Sequence, residues 1–67
     1  MNATFLAMVP ADFIGHVEKR YKVGIISERT KDRIIKEHKN LIDRNQVIYV
    51  HVSEVHELEQ YQDKTDS

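Results

Sequence analysis

GIISERTKDRIIKEHKNLIDR, residues Gly24 to Arg44, reads as one capped helix with an apolar side and a basic side, then a short β turn-back. Ser27 and Thr30 both qualify as its N-cap, because a hydroxyl accepts from the free N–H groups of a first turn. With the helix beginning near Glu28, Thr30, Ile34, His38 and Leu41 recur at helical spacing along one stripe. Arg29, Asp32, Arg33, Lys36 and Lys39 fall on the opposite side. That distribution describes an ordinary amphipathic surface helix. It is also what a DNA-recognition helix requires, since cations attract phosphates and Arg can donate twice to a guanine edge. Asp32 and Glu37 oppose phosphate unless paired within the helix, and Asp32 has Lys36 at the favourable i,i+4 spacing.

The residues before this segment supply a scaffold. Thr4–Val9, TFLAMV, fits a short strand. Pro10 and Asp12 suit the first turn of a helix running to Tyr21, with Phe13, Ile14, Val17 and Tyr21 inward and His16, Glu18 and Lys19 outward. Gly15 weakens that helix unless it permits close packing. Gly24 can take the positive φ that ends helices. A helix, a Gly-containing turn and a capped basic helix together have the form of a helix-turn-helix.

After the central helix, Leu41-Ile42 and Val47–Val52 are two apolar runs separated by Asp43-Arg44-Asn45-Gln46. They predict a β-hairpin with Asn45 at positive φ and Arg44 at the tip. Ser53 reads as the cap of a last helix, Glu54 to about Gln60, with Val55 and Leu58 inward. The polar end from Gln62 is expected to fray. The fold class expected is therefore α+β: a winged helix-turn-helix domain over residues 1–61 with a hairpin wing and a C-terminal helix.

Composition bounds the function. Sixty-seven residues make one small domain with a thin core, for which self-association is a common remedy. There is no cysteine, so disulfides and thiolate metal sites are excluded and a reducing cytoplasm is expected. No apolar run approaches the ~20 residues of a membrane span, and Met1–Thr4 lacks the basic start of a signal peptide. Net charge is −1, unevenly spread. Asp12–Arg44 carries nine Lys or Arg against six Asp or Glu, a balance of +3. Residues 45–67 carry one Lys against five acids, a balance of −4. A weakly basic body that binds DNA does so best in several copies.

His16, His38, His51 and His56 have no metal-ligand spacing, no carboxylate pair or nucleophile constellation stands out, and there is no phosphate-cradling Gly loop. No catalytic group, metal or cofactor is expected. Membrane-surface binding is a weak third, because no helix joins a large apolar face to a strongly cationic one.

Ser27–Leu41, SERTKDRIIKEHKNL, resembles the helix-turn-helix of small winged-helix proteins of the excisionase, Cox and MerR-like group. There Ser-x-x-Thr opens the second helix, Arg or Lys follows, and an apolar pair and a Lys-Glu ending before a Leu lead to the wing. Tyr49–Val55, YVHVSEV, is similar to the second wing strand running into a Ser-Glu capped helix. The similarity covers roughly residues 9–60. It implies phage or mobile-element regulators that bind repeated DNA sites side by side, bend them, direct an integrase towards excision and often repress a promoter. By position it would place Arg29, Lys31 and Arg33 at the major groove or its phosphates, beside Ser27 and Thr30 at the helix opening. Lys36 would touch backbone, and Arg44 would be the wing contact. The chain departs from the pattern at His38, where Gly is usual, and in a wing turn with no Gly and a single Arg. The competing expectation is a protein-binding antirepressor or host-factor inhibitor of the same fold, using its acidic C-terminal part.

Overall fold

The computed structural model describes the backbone of residues 4–66 and the side chains of residues 4–61. The chain runs β1 (Phe5–Met8), α1 (Pro10–Lys22), α2 (Glu28–Glu37), α3 (Lys39–Asp43), β2 (Ile48–His51) and α4 (Val52–Asp66). The class is α+β, winged helix-like: a helix-turn-helix pair, a two-stranded antiparallel sheet and a C-terminal helix.

Pro10 opens α1, where its missing N–H would have had no partner in any case. The helix ends in a left-handed cap. Gly24 takes φ +91°, its N–H bonds the Tyr21 carbonyl at 3.1 Å, and the Ile25 N–H bonds the Arg20 carbonyl at 2.9 Å. Ser27 then caps α2, its Oγ accepting from the Thr30 N–H at 3.2 Å. Of the two cap candidates Ser27 therefore serves, and Thr30 supplies the donor.

The expected wing is built differently. Leu41 and Ile42 are not a strand; they belong to α3, which leaves α2 at His38 and carries both side chains half-buried against the core. A Lys39–Asp43 ion pair at 2.7 Å spans this short helix. It ends as α1 does: Asn45 takes φ +56°, and the Gln46 N–H bonds the Leu41 carbonyl at 2.9 Å. Asn45 is thus at positive φ as expected, but as a helix terminator rather than a hairpin turn. The partner of β2 is β1, antiparallel, with Phe5 opposite His51 and Met8 opposite Ile48. The physical reason is demand. An apolar β1 needs a ladder, and two residues, Leu41-Ile42, are too few to outbid it.

The core is small. Phe13 and Val17 of α1 meet Ile48 and Val50 of β2, ringed by Met8, Ile26, Ile34, Ile35, Leu41, Ile42 and Val55. Alternation along β2 places Ile48 and Val50 inward and Tyr49 outward. The molecule is a plate, 39 × 35 × 15 Å. Two residues of α1, His16 expected outward and Tyr21 expected inward, differ from expectation. His16, three residues from Phe13, is buried, whereas Tyr21 lies at the surface. An added Cβ at Gly15 would meet nothing within 4 Å, so no close packing requires that glycine.

The last helix begins at Val52, so Ser53 sits in its first turn rather than at the cap. The cap is His51, whose Nδ1 accepts from the Ser53 N–H at 3.1 Å. Accepting there leaves the neutral ring's proton on Nε2. The backbone of α4 continues to Asp66.

Candidate nucleic-acid interface

The turn from Val23 to Ser27 swings α2 across α1 so that Ile34 and Ile35 face the core. Helical spacing then turns Arg29, Arg33 and Lys36 outward as one ridge, at i, i+4 and i+7. All three are exposed, and none has an ion pair or hydrogen bond among the described residues. They line an open recess of about 520 Å³ with Thr30 and Asp32. Like charges placed this close repel one another, so a bound anion would relieve the ridge.

The other expected contacts divide. Lys31 leaves the ridge. Its ammonium sits 5.0 Å from the centre of the Tyr21 ring and 3.6 Å from Asp32 Oδ1, and the side chain is largely covered. Asp32 therefore pairs with its neighbour rather than with Lys36, which has no ion pair among the described residues. Ser27 spends its hydroxyl proton on Thr30, its Oγ donating to Thr30 Oγ1 at 3.1 Å. Arg44 is exposed and lies at the end of α3, not at a hairpin tip. The structure thus brings Arg29, Arg33 and Lys36 together, with Thr30 beneath them, and places Lys31 and Arg44 elsewhere.

Behind the ridge lies a polar cluster that spacing alone did not reveal. Arg20 Nη1 donates to Glu54 Oε1 at 3.0 Å, tying α1 to α4. His16 Nε2 lies 4.0 Å from the same oxygen and, like Arg20 Nε, has no hydrogen-bond partner among the described residues. Burial pushes the His16 pKa below 6.5; Arg20 lowers it further and Glu54 raises it in part. These residues border a cleft of about 380 Å³ that also reaches Ile34, His38 and Tyr49. His38 closes the end of α2: its Nδ1–H donates to the Ile34 carbonyl at 2.7 Å and its ring packs on Phe13 at 4.7 Å. Arg20 and Glu54 stand 34 residues apart, so only a correct pairing of α1 with α4 could have predicted their contact. No group of three or more His, Cys, Asp or Glu among the described residues is arranged to hold a metal ion, and no helix there is long and apolar enough to cross a membrane.

The site and fold together define a small α+β domain that displays a cationic helix beside a two-stranded sheet. No protein-family model, curated protein or solved structure matches the chain.

Proposed function

We propose that the chain binds double-stranded DNA, laying the exposed side of α2 against the major groove. The observation that carries this reading is the ridge of Arg29, Arg33 and Lys36, cations without acidic partners among the described residues, while Lys31, Lys39 and Arg20 are each paired. Arg29 and Arg33 are the base-reading or phosphate-bridging pair, and Lys36 is a backbone contact. Thr30 Oγ1 accepts from Ser27 and keeps its own proton, with which it can donate to a phosphate beside the ridge. Lys31 is a structural residue, and Arg44 is a flanking phosphate contact at most, reached from α3. The biological role fitting this reading, through the sequence resemblance alone, is a phage or mobile-element regulator acting as excisionase-like directionality factor or repressor in the bacterial cytosol. It would bind repeated sites as several copies beside an integrase.

A gel shift on the DNA flanking the coding sequence tests this. The parent should bind with an affinity that falls steeply with salt, each phosphate contact adding about 0.9 to the log–log slope. Replacing Arg29 and Arg33 together by Ala should weaken binding about tenfold or more without changing the circular dichroism, since both side chains are exposed. Lys31→Ala should leave binding close to that of the parent. A double variant that binds like the parent would overturn the assignment. The second reading, a protein-only antirepressor or host-factor inhibitor, draws on exposed Glu57 and on the bare outer face of the sheet. Salt-independent failure to shift any flanking DNA would favour it.

A further inference from the structure

We propose that the free edge of β1 is the docking site for a second copy of this chain, the two β1 strands pairing antiparallel about a two-fold axis. The result is one continuous sheet in the order β2, β1, β1 and β2. The inference needs no nucleic acid and stands apart from the DNA reading.

The hydrogen-bond pattern identifies the edge. Val52 N–H bonds the Thr4 carbonyl at 2.9 Å, and Thr4 lies opposite Val52 in the register that pairs Phe5 with His51. Antiparallel pairs alternate, so Leu6–Val50 and Met8–Ile48 are the other bonded pairs. The N–H and C=O groups of Phe5 and Ala7 therefore point away from β2, and no partner meets them among the described residues.

The position of β1 leaves that edge at the rim. Leu6 faces the core side of the sheet yet remains 40% exposed, while Val50 beside it is buried. β2 is the inner strand and β1 the outer one. On the other side of the sheet Phe5 is 55% and Tyr49 68% exposed, with the Phe5 and His51 rings edge to face at 5.3 Å. A sheet continued past β1 would cover Leu6 on one face and Phe5 on the other.

Charge and shape select the occupant. Soluble proteins usually guard such an edge with Lys, an inward charge or a proline in the strand. Here 31% of the chain is charged, yet Met1–Ala11 holds no charged side chain and Pro10 falls outside the strand. An uncharged edge meets its own copy without repulsion. A two-fold axis through Leu6 sets Phe5 opposite Ala7 of the other copy, twice. Both residues of each pair present outward-pointing backbone groups, so both pairs are hydrogen-bonded. Each also matches a large side chain with a small one.

Amide hydrogen exchange and sedimentation equilibrium on the full chain, without DNA, test the proposal. The parent should sediment at twice its chain mass. The Phe5 and Ala7 amides should exchange slowly, together with Leu6 and Met8, and speed up on dilution. Ala7→Pro removes one outward donor without touching the β1–β2 ladder. It should sediment as a monomer with its circular dichroism unchanged. A parent that stays monomeric at millimolar concentration, with Phe5 and Ala7 amides in fast exchange, would overturn the proposal. So would a dimer in which Tyr49 and His51 amides are the protected ones, which places the junction on β2. Should Ala7→Pro fail to fold, the parent's exchange pattern decides alone.

Discussion

His16 is the most consequential single side chain outside the ridge. It is buried on the inner face of α1, near Arg20 and Glu54, on a cleft shared with His38. Its pKa is lowered by burial first, then by Arg20, with Glu54 opposing. Because the folded value lies below the unfolded 6.5, the unfolded chain binds the proton more readily. This contribution to stability is therefore complete above pH 6.5 and is lost as pH falls through the folded value. Thermal melts at a series of acidic pH values should show Tm declining below pH 6.5, and His16→Leu should flatten that decline. Neutral stability of the Leu variant should stay within about 1 kcal/mol of the parent, since a similar volume replaces a ring with an unpaired nitrogen. An identical pH profile in the variant would refute the assignment.

At the scale of elements, the two left-handed caps and the Ser27 cap explain where helices stop and start. Gly24 and Asn45 each close a helix with the same pair of backbone bonds, although only Gly24 does so without a Cβ penalty. Ser27 holds the first turn of the helix bearing the ridge. Ser27→Ala should cost about 1 kcal/mol in urea unfolding and should loosen the Arg29 end of the ridge more than the Lys36 end. A Ser27→Ala protein as stable as the parent would mean that the cap contributes nothing. Capping chemistry at Ser27 and Gly24 is local, so it can be read from spacing. The fate of Leu41-Ile42 is not local. Two apolar residues serve a strand or a helix equally, and here α3 wins because β2 already has an apolar partner at the start of the chain.

For the whole molecule, thinness is the governing fact. A 15 Å plate with a handful of buried apolar residues has little surplus stability. Ile48, among the most buried of them, joins the sheet to α1. Ile48→Ala should cost about 3 kcal/mol, enough to leave a large unfolded fraction by circular dichroism at ambient temperature. An unchanged melting curve would contradict the core described. Spacing, caps and composition by themselves determined that α1 and α2 form a helix-turn-helix, that Arg29, Arg33 and Lys36 share one side, and that Val47–Val52 contains a strand. All of these depend on neighbours within one or two turns. Tertiary structure alone decided that β2 pairs with β1, that His16 is buried beside Glu54, and that Lys31 folds onto Tyr21 while Arg29, Arg33 and Lys36 keep no ion pair among the described residues. Each of these depends on which separate surfaces meet, and contacts between residues ten to more than forty positions apart leave no periodicity to read.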